Sequence, residues 1–325
     1  MKEYSIIIPT YQGASRVVRL VQSICSSAAT LGLKDELEIV VVIDGSTDDT
    51  HAQLSAIQSG LHLQIIEQQN AGLAQTRNRG VVAATGKLLW HLDDDMEIDS
   101  TCMTQHLLRA RLQDEIRMGS LKNKGEPSLL FEHVCGFYTQ RHNRLKADTA
   151  SVEPLDFTCS NTSGPAQLFR DFPFEAAFRG YGMEDYELAT RFCANGVSII
   201  YEPLALVVHH YDHTFIEFCK SMCEEGFNRV QLYQLHPHLY KHLFSSSNSR
   251  LVSLLRRRAF SGDRRLLAAV HASLRYAASS RYSSNQLFPT MVKRKLFHYA
   301  IASARYAGIA EACAVRPITN IPRTC

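Results

Sequence analysis

Short runs of β-branched and aliphatic residues alternate with helical patterns over the first hundred residues, and this rhythm constrains the fold more than any other feature. The patterns predict strands at 5–9, 38–43, 63–67 and 87–92, and helices at 16–31, 50–58 and 73–84. The second strand is apolar at every position from 39 to 43, which predicts burial on both of its faces. We therefore expect an α/β fold with a mostly parallel central sheet and flanking helices.

Polar residues end these strands, at the edge where open α/β sheets bind ligands. The acidic triplet Asp93-Asp94-Asp95 directly follows the strand at 87–92. Adjacent carboxylates repel one another unless a cation relieves them, and their oxygens suit Mg²⁺ or Mn²⁺. Because side chains alternate along an extended chain, Asp93 and Asp95 are predicted to face one side and to form a ligand pair. The alternative is an acidic turn in contact with solvent.

The second half of the chain has a less regular pattern. A less regular stretch is predicted over 121–156, with a loop at 122–127, followed by the segment 157–164, in which a short strand precedes Asn161, and by a helix that begins near Pro165. A short strand is predicted at 205–208, and the pattern is helical beyond Phe215. Helices are predicted at 250–282 and 288–313, after a serine-rich stretch. We therefore divide the chain into a domain over 1–215 and a helical extension over 216–325.

Charge is distributed unevenly along the chain. The net charge is +3, yet the residues from Arg250 onward include 14 Lys and Arg against only Asp263 and Glu311. This basic region is interpreted as a solvated helical face, as a contact with an anionic membrane surface, or as a contact with an acidic or phosphate-bearing acceptor. No nucleic acid partner is expected, because no binding module for it is recognisable.

The apolar runs and the cysteines of the sequence indicate the cellular compartment of the chain. No stretch approaches the roughly 20 apolar residues that span a bilayer. The nine cysteines lack the paired spacing of a zinc ribbon. We expect a cytoplasmic chain, with peripheral contact at the inner face of the membrane as the alternative.

Several segments occur in the order of a known pattern, and over about residues 4–215 the chain resembles glycosyltransferase family 2. The matching segments are SIIIPTY (5–11), VIDGSTDDT (42–50), NAGLAQTRN (70–78), LDDD (92–95), GYGMEDYEL (180–188) and VVHH (207–210). The resemblance implies a GT-A fold with a Rossmann-like sheet, a nucleotide-binding half over about 1–100 and an acceptor half over about 101–215. Two acids of the family pattern are replaced here, by Ile43 and Met96.

The resemblance also implies roles for individual residues. The donor nucleotide is expected to contact Pro9, Thr10, Tyr11, Asp44, Arg77, Asp93 and Asp94. A Mn²⁺ or Mg²⁺ ion is expected to be held by Asp93, Asp95 and His209, with His210 and His213 as alternates. A structural histidine at a strand end is the other interpretation of His209.

The Glu-Asp pair is where the resemblance places the catalytic base. A single displacement needs a carboxylate that takes the proton of the acceptor hydroxyl while its oxygen attacks the anomeric carbon. Asp185 is expected to be this base, and Glu184 to orient the acceptor or a nearby loop. Two acids in the first turn of a helix also interact favourably with the helix dipole, and both roles can coexist.

Together these features predict a metal-dependent, inverting glycosyltransferase that adds a hexosyl or N-acetylhexosaminyl unit. The donor is expected to be a nucleotide-sugar, with UDP-sugars favoured, and the acceptor a glycan, a lipid-linked intermediate, a peptide or a small molecule. The setting is expected to be polysaccharide, glycolipid or other glycoconjugate biosynthesis. The alternative is a non-catalytic module that binds a nucleotide-sugar or glycan. A nucleotidyltransferase is disfavoured because the loop after the first strand is poor in glycine.

Overall fold

A computed structural model of the chain describes residues 2–58, 60–109, 114–147, 152–178, 180–239, 243, 258–261, 263, 265, 269 and 290–315. Its strands are β1 (Tyr4–Thr10), β2 (Leu37–Asp44), β3 (His62–Gln68), β4 (Leu88–Leu92), β5 (Met96–Glu97), β6 (Glu115–Lys124), β7 (Asn161–Pro165) and β8 (Ser198–His210). They form one sheet in the order β3-β2-β1-β4-β7-β6-β8-β5. β3, β2, β1 and β4 are parallel, as are β6 and β8, whereas β7 and β5 pair antiparallel with their neighbours.

Helices flank this sheet and continue beyond it. They are α1 (Ala14–Leu31), α2 (Thr50–Ser55), α3 (Leu73–Ala83), α4 (Ser100–Met103), α5 (Leu129–Ala147), α6 (Ala166–Asp171), α7 (Glu184–Ala194), α8 (Phe215–Leu235) and α9 (Thr290–Val315). A π-helical turn at Thr104–Leu108 and 3₁₀ turns at Pro154–Asp156 and Pro237–Leu239 complete the described elements.

The sheet is buried on both faces, as every residue of β2 is buried. One face packs against the apolar side of α1, which includes Val17, Leu20 and Ile24. The other face packs against a separate apolar cluster that contains Phe169 and Phe192. Burial of the aliphatic side chains on both faces stabilises the sheet and fixes the carboxyl ends of β1, β2 and β4 at one edge.

The α/β architecture predicted from the first hundred residues is confirmed, and the second half differs from its predicted pattern. The prediction of an irregular stretch at 121–156 is wrong, since β6 continues to Lys124 and α5 covers residues 129–147. β8 is also longer than the predicted strand at 205–208. Its apolar side chains alternate with exposed ones and escape a search for continuous apolar runs. The predicted helix at 250–282 lies almost entirely outside the described residues.

Two compact units make up the chain. The first comprises Met1–Ala176 and Glu184–Asp212, and the second comprises Ala177–Met183 and His213–Cys325. In the second unit α8 packs on α9, and the buried carboxylate of Glu225 accepts hydrogen bonds from Arg229 and Arg305, each at 2.6 Å. One basic residue of the C-terminal region thus has a structural partner. No helix in the described part of the chain has the length and apolar character of a membrane span.

Candidate active site

The acidic triplet forms a turn directly after β4, closed by a hydrogen bond from the Met96 N–H to the Asp93 carbonyl at 3.3 Å. The alternation argument for Asp93 and Asp95 is therefore wrong, because these residues are not in an extended strand. Instead, the turn directs the three carboxylates toward three different partners. The charge of Asp95 still raises the pKa of both Asp93 and Asp94, and these partners offset the repulsion.

Asp93 points toward Arg77 on α3, and the two side chains form an ion pair of 2.8 Å. Arg77 is only 1% exposed, and its other terminal nitrogen reaches Asp185 at 3.0 Å and Glu184 at 3.4 Å. Burial lowers the pKa of Arg77, but the charges of Asp185 and Asp93 raise it further, so the pKa stands well above its usual range. Arg77 links the acidic turn to the start of α7, and its contact with a nucleotide stays a prediction.

Asp94 points toward the opening loop of the chain. Its carboxylate accepts hydrogen bonds from the Thr10 hydroxyl at 2.6 Å and from Arg16 Nε at 3.2 Å. Burial raises the pKa of Asp94 to about 6, although Arg16 acts in the opposite direction. Asp94 therefore holds the loop after β1 against the acidic turn.

Asp95 faces His209 at the end of β8, with 3.1 Å between Asp95 Oδ2 and His209 Nε2. The other ring nitrogen of His209 lies 2.7 Å from Asn123 Oδ1. Burial lowers the pKa of His209, but the hydrogen bond to Asp95 raises it further, so the net pKa is above its usual value. His210 lies on the opposite face of β8, where Nε2 contacts Glu97 Oε2 at 2.6 Å. His213 belongs to the second unit.

The donor atoms at Asp95 and His209 fit a divalent cation. An amide oxygen can only accept a hydrogen bond, so Asn123 fixes the proton on Nδ1 of His209. In the neutral ring, the lone pair on Nε2 then faces a carboxylate oxygen, an arrangement that a bridging cation stabilises. Within the described ranges, no group of three or more His, Cys, Asp or Glu residues is arranged to hold a metal ion. The protein would thus supply two ligands, and Asp93 is engaged by Arg77.

The Glu-Asp pair begins α7. Asp185 accepts hydrogen bonds from Arg77, from the Cys159 N–H at 3.0 Å and from the Thr158 hydroxyl at 3.2 Å. Burial raises the pKa of Glu184 to about 8, and the neighbouring charge of Asp185 adds to this rise. Glu184 therefore keeps its proton at neutral pH, and one of its oxygens has no hydrogen-bond partner.

Asp44 has a different environment from the one expected for a nucleotide contact. Its two oxygens accept hydrogen bonds from the backbone N–H groups of Ala71 at 2.8 Å and Gly72 at 2.9 Å, and Gln68 donates a third. The residue is 5% exposed, so its carboxylate shapes the loop before α3. Its contact with a nucleotide stays a prediction.

The loop after β1 forms the exposed part of the predicted nucleotide site. Pro9 and Thr10 are buried in the strand, whereas Tyr11 is 52% exposed at its end. Gln12 ties this loop to the one after β2, because its side-chain oxygen accepts hydrogen bonds from the backbone N–H groups of Thr47 and Asp48, both at 3.2 Å. The two loops thus lie side by side and leave the Tyr11 ring facing solvent.

Sequence reasoning missed three residues of the site. Arg16 holds Asp94, Asn123 orients His209, and Thr158 donates to Asp185. Arg16 could have been found from the sequence, because a cation in the first turn of the first helix is a candidate partner for the acidic cluster. Asn123 comes from the stretch predicted to be irregular and Thr158 from the segment 157–164, and no pattern placed either of them near the acids.

The parallel half-sheet, the acidic turn after β4 and the Glu-Asp pair that opens α7 define the architecture of GT-A glycosyltransferases. The chain belongs to glycosyl transferase family 2, whose family model matches residues 5–175. Among relatives, validoxylamine A glucosyltransferase of Streptomyces hygroscopicus subsp. jinggangensis is 32% identical over 222 residues, 59% of this chain and 52% of that protein. The chain spans about half or less of the length of the curated relatives that it matches.

Two solved structures show the same fold. The mannosyltransferase PcManGT of Pyrobaculum calidifontis, in complex with GDP-Man and Mn²⁺, matches with a TM-score of 0.58 and 20% identity, over 93% of this chain and 86% of that one. A truncated TarS of Staphylococcus aureus, in complex with UDP-GlcNAc, matches with a TM-score of 0.53 and 18% identity, over 98% of this chain and 93% of that one.

Proposed function

We propose that this chain is a glycosyltransferase of glycoconjugate biosynthesis that uses a divalent cation and a nucleoside diphosphate sugar. The observation that carries the proposal is the meeting of two groups at one sheet edge. One is the Asp95–His209 pair, whose donor atoms suit Mn²⁺ or Mg²⁺, and the other is the ion-paired set of Asp93, Arg77 and Asp185. We further propose that residues 1–100 bind the donor and residues 101–215 the acceptor.

The donor is proposed to be a UDP-sugar. The structurally similar proteins hold GDP-Man with Mn²⁺ in one case and UDP-GlcNAc in the other, which supports a nucleoside diphosphate sugar as the donor class. Tyr11, exposed at the end of β1, offers an aromatic face to a base. When bound beside Asp95, the cation would neutralise charge on the leaving diphosphate.

Asp185 is proposed to be the catalytic base. It takes the proton of the acceptor hydroxyl as the oxygen attacks the anomeric carbon and the bond to the diphosphate breaks, which inverts that carbon. Three protein donors orient its carboxylate, and its side chain is 18% exposed, so it can reach an acceptor. Glu184 is less suited to this role because it is protonated at neutral pH and 5% exposed.

Calorimetric titration with UDP, GDP and dTDP, each with Mn²⁺ and with EDTA, tests the donor site. Metal-dependent binding of one nucleotide is expected, and Asp95→Ala should abolish it. Glu97→Gln is a matched control, because this carboxylate pairs with His210 and not with the proposed metal site. Absence of binding to any nucleotide would refute the proposal.

Turnover and stereochemistry are tested separately. Asp185→Asn should bind the nucleotide as the wild type does and lose transfer to acceptors. A binding module without catalytic activity would bind nucleotide and show no transfer in the wild type. The anomeric proton in the NMR spectrum of the product should show inversion relative to the donor, and retention would refute the single displacement. Peripheral membrane contact through the basic C-terminal region also remains a prediction.

A further inference from the structure

Helix α5 presents one face to a narrow cleft of the first unit. Residues at helical spacing line it from this side, namely Tyr138, Arg141, His142 and Leu145. Polar residues on β6, β7 and β8 and the segment before β7 form the other walls. The cleft itself is narrow, with a volume of about 20 Å³, so a ligand group would enter it from the mouth.

The cleft adjoins the proposed base and the acidic turn. The Thr158 hydroxyl, in its wall, donates to Asp185 at 3.2 Å. The Ser160 carbonyl, also in its wall, accepts a hydrogen bond from the Asp93 N–H at 3.2 Å. Tyr138 lies edge-on to the His209 ring, with 6.2 Å between the ring centroids. A molecule in this cleft would therefore lie beside the groups proposed to carry out the transfer.

Arg141 is a cation in this cleft that forms no ion pair with any described residue. Its contacts are with neutral groups: Nη2 lies 3.3 Å from the Met118 sulfur, and the guanidinium lies 6.0 Å from the centre of the Tyr138 ring. The charges of Asp156 and Asp185 both act on Arg141, but Asp156 is held by two hydrogen bonds from Arg144 and Asp185 is paired with Arg77. Burial lowers the pKa of Arg141, which shows that its charge is poorly solvated.

Some of the other polar groups in the cleft are hydrogen-bonded within the protein, and others can contact a ligand. The Asn161 side chain is engaged by the Trp90 N–H and by the carbonyls of Ser120 and Ala205. The Thr158 hydroxyl donates to Asp185 and lies 3.2 Å from the Ser160 hydroxyl, which can donate to a ligand. A half-buried guanidinium costs free energy that an anionic ligand would offset, and its planar fork suits phosphate and carboxylate oxygens.

We propose that this cleft binds the acceptor through an anionic group, a phosphate or a carboxylate, held by Arg141 while the acceptor hydroxyl lies toward Asp185. This inference rests on the proposed transferase function, because only a transferase has an acceptor. It adds a substrate class that the acidic turn alone does not specify. Arg141 is in this role a binding residue and takes no part in proton transfer.

Paired probes test the charge requirement. Glycerol 1-phosphate is compared with glycerol, and glucuronate with glucose, each titrated into protein saturated with UDP and Mn²⁺ so that the diphosphate site is filled. The phosphate and carboxylate pairs distinguish the two sources of negative charge. The wild type should prefer at least one anionic probe over its neutral partner by about tenfold or more, the magnitude of one charge-assisted hydrogen bond.

Arg141→Gln should abolish this preference and leave the UDP affinity unchanged within about twofold, since the donor site does not use it. Arg141→Lys should restore part of the preference, because it keeps the charge and loses the fork. Lys146→Gln is the matched control, an exposed cation on the same helix, and should behave as the wild type. Thermal unfolding checks that each variant folds, and Arg141→Lys carries the test if the glutamine variant does not.

Equal binding of anionic and neutral probes by the wild type would overturn the inference, as would an unchanged preference in Arg141→Gln. A large loss of UDP affinity in Arg141→Gln would assign the residue to the donor and overturn it too. These results differ from failure of the proposed function. If no nucleotide binds, the same titrations without UDP still show whether Arg141 captures anions. Anion binding lost in Arg141→Gln would then support the cleft as an anion site.

Discussion

Replacing Arg77 by glutamine would remove the cation that links the acidic turn to α7. Two short charge-assisted hydrogen bonds are lost, to Asp93 at 2.8 Å and to Asp185 at 3.0 Å. Removing one partner of a buried ion pair costs about 3–5 kcal/mol, because charge is left without compensation. The Asp93 side chain is 32% exposed and can regain water, so we expect the lower end, about 3 kcal/mol of unfolding free energy.

Urea unfolding followed by fluorescence measures this loss. Trp90 is the only tryptophan of the chain, and it is fully buried in β4, the strand that leads into the acidic turn. Arg79→Gln, an exposed cation on the same helix, should change the unfolding free energy by less than about 0.5 kcal/mol. A loss below about 1 kcal/mol in Arg77→Gln, at an unchanged dependence on urea, would refute the view that Arg77 is the buried link.

Three further predictions test the pKa of Glu184, the metal ligand and the packing of the helices. Glu184→Gln should gain stability relative to the wild type as the pH rises, because the folded protein keeps the Glu184 proton until about pH 8 whereas the unfolded chain loses it near the usual pKa of 4.5. Thermal unfolding between about pH 5 and 9 measures this gain, and a pH-independent difference would contradict it. His209→Ala should weaken Mn²⁺-dependent UDP binding about tenfold or more, whereas His210→Ala should stay within about twofold; equal effects by calorimetry would exclude His209 as the specific ligand. Gly226→Ala should lower the unfolding free energy by about 1–3 kcal/mol, because its Cβ would lie 1.9 Å from a backbone carbonyl oxygen of α9. Gly136→Ala, on α5 with no atom within 4 Å of its Cβ, should instead raise it by about 0.5–1 kcal/mol, and urea titrations that show the same sign for both would refute the packing argument.

The first half of the fold could be predicted because its strands are buried on both faces. Every residue of β2 is buried, so a continuous run of apolar residues identifies this strand even when its neighbouring strands are unknown. β6 and α5 gave no such signal. β6 ends in exposed residues, and the buried positions of α5, Leu130, Val134 and Leu145, are few and widely spaced. Their structure depends on tertiary contacts that a local pattern does not contain.

The sequence predicted that a set of acids lies at one edge of the sheet. It did not predict which cation pairs with which acid. Residue type and position after β4 indicated Asp93 and Asp95, but the turn directs them apart, so a strand-based argument gave the wrong geometry. Arg77 was expected near the nucleotide, and its position between the carboxylates of Asp93 and Asp185 was not predicted. Which cation meets which acid depends on the packing of α3 against β1 and β2, and sequence spacing carries no information about it.

The acidic turn can keep three adjacent carboxylates because each has a different cationic or hydrogen-bonding partner. Arg77 forms an ion pair with Asp93. Arg16 and Thr10 contact Asp94. His209, at the end of β8, faces Asp95. Arg77 and Arg16 keep their charge at physiological pH, whereas the imidazole of His209 can lose its proton. A divalent cation at Asp95 can therefore replace a shared proton there without displacing an arginine, whereas at Asp93 or Asp94 it would have to compete with a guanidinium that is already paired. This difference is the physical reason for proposing the metal at Asp95 rather than across the whole triplet.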